Sequence, residues 1–419
     1  MKRNGKFLTA LMISASILLP AAAVSANGEE AQAVEKFRVL IESDQKAQKA
    51  ELKERYGVRW AFGEDGFTTE MTEKQFQALQ HNKNVTVTKV DELSIDQTSS
   101  KPEASYSTMA ASQSTPWGIK AIYNNSYLTA TSGGSGVNVA VLDTGVNTSH
   151  PDLSANVEQC KDFTQSNPIT YGVCTDRQGH GTHVAGSALA NGGPYGDGVY
   201  GVAPDADLWA YKVLGDDGSG YADDIAGAIR HVADQAYAQG SNAVINMSLG
   251  SSGESSLITD AVNYAYSRGV LVIAAAGNSG PYQGSIGYPG AVPNAVAVAA
   301  LENVVQNGTY RVADFSSRGY SWTDGDYTIE EGDVEISAPG ASIYSTWYDG
   351  GYATISGTSM ATPHVAGLAA KIWAQYPYAT NEEVRGELQY RAYINDIKSG
   401  YGAGTGDDYA SGFGFATVQ

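Results

Sequence analysis

The 419-residue sequence is poor in cysteine (two), histidine (six) and proline (13), and its 26 Lys and Arg are outnumbered by 45 Asp and Glu. Two cysteines with no histidine pair nearby make a poor zinc site, and nothing supplies further ligands to the i, i+3 pair His180 and His183. The shortage of cations is local. Residues 1–111 hold 14 Lys and Arg against 15 Asp and Glu, whereas residues 112–419 hold 12 against 30, a balance of −18. Such a surface repels phosphates, which excludes nucleic acid as a partner class. Apolar runs long enough to span a bilayer are missing after residue 26, and no internal repeat is present.

The first segment has its own character. Met1 to Lys6 is basic, Phe7 to Val24 is apolar apart from small polar residues and Pro20, and Val24-Ser25-Ala26 fits a small-residue cleavage pattern. Residues 1–26 therefore read as a secretory signal peptide, and the mature chain as a secreted, extracellular protein. Outside the cell, Cys160 and Cys174 would meet oxidising conditions and are expected to form a disulfide, with two free thiols as the alternative.

Composition then changes twice. Residues 35–95, within a segment 27–111, are rich in charge and low in glycine. Strands are expected at 37–41, 58–62, 66–71 and 85–90, and helices at 44–55 and from Thr72, where Gln75 completes a capping box. That order, β-α-β-β-α-β, predicts a small ferredoxin-like α+β unit. Residues 96–114 are polar and unpatterned, as in an exposed linker. Beyond them, apolar runs at 137–142, 208–213, 244–248 and 270–275 alternate with helical stretches at 181–191, 222–238, 256–268 and 358–375. This predicts an α/β domain over 112–419, a doubly wound, mostly parallel sheet covered on both faces.

Three short motifs lie where strands end or helices begin: Leu142-Asp143-Thr144-Gly145, Gly179-His180-Gly181-Thr182-His183, and Gly357-Thr358-Ser359-Met360-Ala361. In a parallel sheet such positions converge on one edge. An acid, a histidine and a serine meeting there suit acyl transfer. The hydroxyl needs an imidazole to take its proton, and the imidazole needs a carboxylate to fix its tautomer. Each motif alone is weak, since an Asp at a strand end is usually a turn residue and a Ser before a helix usually a cap.

Together, in the order Asp–His–Ser, the motifs resemble the three signatures of the subtilisin family, whose own chain order this is. The resemblance runs from about Gln113 through Gly414. It implies a serine endopeptidase in which Asp143 orients, His180 is the base and Ser359 the nucleophile. It implies Asn278, in Ala274-Ala275-Ala276-Gly277-Asn278, as the donor to the negative oxygen. Gly218-Ser219-Gly220 and Ser248-Leu249-Gly250 would flank an extended peptide substrate, and Gly277 and Gly287 would line a roomy pocket of broad specificity. Calcium is implied as a structural cofactor. Gln113 and Asp152 match ligands of the family's tight site, with Asp197 and Val199 in an altered loop 191–199, and Glu335 matches a weaker site. An acidic insertion with Asp324, Asp326 and Asp333 is a further candidate. Protein and peptide substrates are the implied partners of a monomeric enzyme. The 35–95 segment resembles the family's inhibitory propeptide, a folding template and inhibitor cut away between about Ser105 and Ser112. A binding protein on the same frame would show a broken triad. An esterase would place its serine in Gly-x-Ser-x-Gly with the histidine last, whereas Ser359 lies in Gly-Thr-Ser-Met-Ala.

Overall fold

A computed structural model describes residues 35–95, 111–323 and 325–419. The expected signal peptide, nearly all of the expected processing region and Asp324 lie outside the described residues.

In the charged N-terminal stretch, β1 (Lys36–Glu42), α1 (Lys46–Tyr56), β2 (Phe67–Thr72), α2 (Glu73–Gln80) and β3 (Thr86–Lys89) follow one another. β1 lies in the middle, antiparallel to both β2 and β3. Alternate residues Val39 and Ile41 point to one face of it and share an apolar cluster with Leu52 of α1 and Phe76 and Leu79 of α2. The Thr72 hydroxyl accepts from Gln75 N (3.3 Å) and the Gln75 side chain accepts from Thr72 N (2.9 Å), the expected reciprocal cap. The expected strand at 58–62 does not form, so the sheet has three strands. Successive strand residues point to opposite faces, yet Arg59 and Trp60 both donate to one carboxylate, that of Asp224. A short strand β4 (Glu92–Ser94) closes this part of the chain.

The larger part opens with α3 (Trp117–Ile122), β5 (Val137–Asp143), β6 (Val157–Asp162), β7 (Thr170–Tyr171) and α4 (His180–Leu189). It continues through β8 (Asp207–Lys212), β9 (Ser219–Tyr221), α5 (Ala222–Gln239), β10 (Asn242–Met247), α6 (Ser256–Ser267) and β11 (Leu271–Ala275). β12 (Ala295–Gln306), β13 (Thr309–Val312), β14 (Ile336–Pro339), β15 (Ile343–Thr346), β16 (Tyr352–Ile355), α7 (Thr358–Gln375) and α8 (Asn381–Tyr393) complete it. The main sheet runs β13-β12-β11-β10-β5-β8-β6-β7, with β14 beside β12. Its pairs are parallel except β12–β13 and β6–β7 at the ends.

Both faces are covered, which is why the strands read as continuous apolar runs. On β5, Val139 and Val141 pack with Val184 of α4 and Val365 of α7. Ala140 and Leu142 face the other way, toward Ile225 of α5 and Val262 of α6. This second cluster also takes in Leu40, Phe62, Leu93 and Ile95, so the N-terminal unit shares a core with the sheet domain. The junction is also ionic. Arg38 donates to Asp223 (2.9 Å) and Asp224 (2.6 Å), and Arg59 donates to Asp224 (2.8 Å). Both acids lie buried in the first turn of α5, where the helix dipole favours negative charge.

Cys160 and Cys174 are bonded, tying β6 to the loop ahead of α4. Glu335, expected at a weak cation site, is paired within the protein. Its Oε1 accepts from Arg385 Nε (2.8 Å) and Gln389 Nε2 (2.8 Å), and its Oε2 from Arg385 Nη2 (2.6 Å). Burial opposes the charge of Arg385, but Glu335 beside it holds the guanidinium pKa above its ordinary value. The carboxylate anchors α8 to the end of the sheet.

Two stability predictions follow, best read by chemical unfolding of the Ser359→Ala chain so that self-digestion cannot intrude. Replacing both cysteines by serine is expected to cost about 3 kcal/mol, the chain-entropy value for a loop of this size. Arg385→Leu, which strands Glu335 in the core, is expected to cost about 3–5 kcal/mol. Unchanged midpoints would contradict these assignments.

Candidate active site

β5 delivers Asp143 to the carboxyl edge of the sheet, fully buried. Its Oδ1 accepts from the backbone N–H of Thr144 (2.7 Å). His180 opens α4, and its Nδ1 lies 2.8 Å from Asp143 Oδ1 and 3.0 Å from Oδ2. A carboxylate only accepts, so Nδ1 carries the proton and Nε2 keeps its lone pair. Two glycines allow this approach. Gly179 adopts φ +108, and a side chain on it would strike the Trp347 ring at 2.4 Å. A Cβ at Gly181 would meet Gly145 O at 2.1 Å and Asp143 Cβ at 3.0 Å.

Asp176 was not singled out from the sequence, yet it builds the loop that carries His180. Its Oδ1 accepts from Thr144 Oγ1 (3.0 Å) and Gly179 N (2.8 Å), and its Oδ2 from Thr182 N (3.0 Å) and Thr182 Oγ1 (2.6 Å). It thus caps α4 from outside the helix, a role whose only local signal is an acid just upstream of a helix start. The disulfide holds the same loop, since Cys174 O accepts from Val146 N (2.8 Å) beyond Asp143.

Ser359 is the second residue of α7 and is 2% exposed. Its hydroxyl donates to Ser248 O (3.1 Å), and the Ser248 hydroxyl donates to Ser359 O (2.7 Å). Among the described hydrogen bonds, none joins Ser359 Oγ to the His180 ring. The structure therefore brings Asp143 and His180 together, and Ser359 and Ser248, without closing the link between the two pairs. Such links are often long until substrate binds. Asn278 is anchored through its Oδ1, which accepts from Thr358 N (2.9 Å). A Cβ placed on Gly357 would lie 3.4 Å from Asn278 Nδ2 and 3.7 Å from Ser359 N. Two N–H donors thus flank one small space that the glycine keeps open.

His183 and His364 do not belong to this cluster. His183 Nε2 bonds Ile343 O (2.9 Å) and His364 Nδ1 bonds Met360 O (2.8 Å). Burial first, opposed by these bonds, pushes their pKa values down to about 3 and about 4, so both are neutral packing residues.

Beside Ser359 lies a cavity of about 370 Å³ whose walls include Leu249, Gly250, Ala275, Gly277, Ile286 and Gly287. Gly277 and Gly287 therefore line the same cavity as Ser359. β4 of the N-terminal unit occupies the cleft leading to it. Leu93 faces Gly220 and Ser94 faces Ser219 in an antiparallel pair, Ile95 N donates to Gly218 O (3.0 Å), and Ser94 pairs with Gly250 on the other side. Both expected flanking segments therefore hold an extended strand between them.

Of the expected cation ligands, Asp152 is buried, and its Oδ2 accepts from Val199 N (2.8 Å) and Tyr352 Oη (3.0 Å). Its Oδ1 accepts no hydrogen bond among the described residues. It faces Gly193 and Gly198, where a Cβ would come within 2.8 and 2.0 Å. Asp197 O accepts from Ala111 N (3.3 Å), Val199 O from Gly192 N (2.9 Å), and Gln113 is exposed. An anionic oxygen aimed at a glycine-lined loop suits a hard cation.

Residues 134–414 match the Subtilase family (Peptidase S8). Over 421 aligned residues the chain is 74% identical to a subtilisin of Bacillus sp. (strain TA39), covering 100% of both chains. It is 42% identical to the M-protease of Shouchella clausii (strain KSM-K16), over 75% of this chain and 74% of that one. Among solved structures, the S41 psychrophilic protease superposes with a TM-score of 0.73 at 79% identity, over 74% of this chain and 100% of that chain. Sphericase gives the same TM-score at 73% identity and the same coverage. With Asp143 and His180 in contact at the sheet edge and a cleft that grips an extended strand, this chain belongs to the subtilase family and is a subtilisin-type serine endopeptidase.

Proposed function

We propose that Ser359 attacks the peptide carbonyl, that His180 Nε2 takes the hydroxyl proton, and that Asp143 steadies the imidazolium through Nδ1–H. The observation that carries this reading is the 2.8 Å contact of Nδ1 with a buried carboxylate, because it leaves Nε2 as the free base. As the tetrahedral adduct forms, Asn278 Nδ2–H and Ser359 N–H donate to its oxygen. His180 then returns the proton to the leaving amine, and water repeats the sequence on the acyl-enzyme. A side-chain donor of this kind is worth about 10²–10³ in turnover in subtilisins themselves.

Substrate binds as an added strand between Gly218–Gly220 and Ser248–Gly250, through main-chain bonds available to any sequence. The neighbouring cavity presents glycine, alanine and serine walls with no charged side chain, which supports broad cleavage with large apolar residues favoured. The N-terminal unit acts as a propeptide: it templates the slow-forming parallel sheet, blocks the cleft through β4, and is cut away by the enzyme itself after export. Calcium bound by Asp152, Gln113 and carbonyl oxygens of the 191–199 loop would supply structural bridging only.

Purified mature protein is expected to digest denatured casein and to lose that activity with a serine-directed phosphonate; digestion indifferent to the phosphonate would contradict the proposal. EDTA is expected to lower the thermal midpoint, by removing an ion bound only to the folded chain. An identical melting curve would remove calcium from the account.

A further inference from the structure

Pro363 stands inside α7, four residues after Ser359. In an α-helix the carbonyl of residue i accepts from the N–H of residue i+4, and proline has none. The carbonyl of Ser359 is therefore left without its intrahelical donor, on a residue that is buried. An orphaned carbonyl in such a place is costly. Here the Ser248 hydroxyl takes it up, at 2.7 Å.

That hydroxyl is itself directed. Its one proton goes to Ser359 O, which can only accept, so in its contact with Asn246 Nδ2 (3.0 Å) the amide donates. Side chains two apart along a strand share a face. Val244 of β10 packs in one cluster with Val365 of α7, and the same alternation carries Asn246 and Ser248 onto the α7 side. Asn246 is held in the ladder between Val141 of β5 and Ile273 of β11, and both polar residues are fully buried. The hydroxyl of Ser359 donates in turn to Ser248 O (3.1 Å), so one residue grips Ser359 by main chain and side chain.

We infer that the Ser248 hydroxyl, steered by Asn246, is a positioning group for the nucleophile, and fixes the backbone of Ser359 where Pro363 leaves it free. The inference rests on the reading of Ser359 as nucleophile. On the near side of Ser359, Thr358 N donates to Asn278 Oδ1 (2.9 Å). The dihedrals of one residue are thereby clamped from both sides. That residue carries the attacking oxygen and also the N–H that faces the space beside Gly357. Misplacing such groups lowers the rate of the chemical step and leaves binding in place. The strand contacts proposed for substrate use the backbone of residues 248 to 250, which a change of the Ser248 side chain keeps.

The test is a double-mutant cycle of Ser248→Ala and Pro363→Ala, measured on a short peptide substrate with the mature enzyme counted by phosphonate labelling of Ser359. Ser248→Ala alone is expected to lower kcat by about tenfold, the equivalent of one hydrogen bond in the barrier, with KM within about twofold. The acid limb of the kcat/KM profile is expected to stay at its native pH, because the contact of His180 with Asp143 is untouched. Pro363→Ala returns an N–H to the helix, so in that background Ser248→Ala is expected to cost less than about threefold. Should Ser248→Ala fail to fold, Asn246→Ala leaves the hydroxyl in place but unsteered, and is expected to lower kcat by about threefold with KM kept. Native kcat in either variant, a loss confined to KM, or an equal loss with and without Pro363 overturns the inference alone. A native enzyme that takes no label on Ser359 overturns the nucleophile reading and this inference with it.

Discussion

The hydrogen bond from His180 Nδ1 to Asp143 is the contact around which the rest of the site is arranged. It requires a carboxylate with no access to water and an imidazole that cannot turn. The end of a fully buried strand supplies the first. For the second, Gly179 and Gly181 let the start of α4 press against β5, while Asp176 accepts five hydrogen bonds, from Thr144 just after β5, from its own loop and from the first turn of the helix. Most of the local peculiarities of the sequence here, a string of glycines, a buried acid and a disulfide, serve the orientation of one ring.

The same edge of the sheet also receives the N-terminal unit. A cleft made of two exposed backbone edges will pair with any extended strand. β4 takes that place while Leu93 and Ile95 fill apolar sites, and the paired arginines neutralise two acids that would otherwise be a costly buried charge. Without the unit, Asp223 and Asp224 would face solvent at the head of α5. Strand pairing in the cleft and the ionic junction at α5 thus belong to one unit.

Much of the sheet domain could be read directly. β5, β8, β10 and β11 are short apolar runs because both of their faces are covered, and α4 to α7 follow them at helical length. β12 was harder, since its second half runs out into solvent and loses the apolar pattern. α8 is polar over most of its length, although Thr380 and Glu383 form a capping box that marks its start. The strand expected at 58–62 failed because tertiary bonds to Asp224 overrode a local β preference. The ion-pair partner of Glu335 lies 50 residues downstream, out of reach of any local pattern.

The contact of Asp143 with His180 was legible because motif residues at strand ends and helix starts meet at one edge; the roles of Ser359 and Asn278 came from the family resemblance. The cleft strand was not, since its partner lies elsewhere in the chain: β4 pairs with β9 more than a hundred residues away; Asp176 was missed because its partners, mostly backbone N–H groups within six residues, carry no side-chain signature. The most direct measurement of the central claim is the site and histidine dependence of labelling by a serine-directed phosphonate. One label per mature chain on Ser359, lost in His180→Ala, is the result expected of a hydroxyl activated by that imidazole. Label on another residue, or labelling of Ser359 that survives His180→Ala at the native rate, would contradict it.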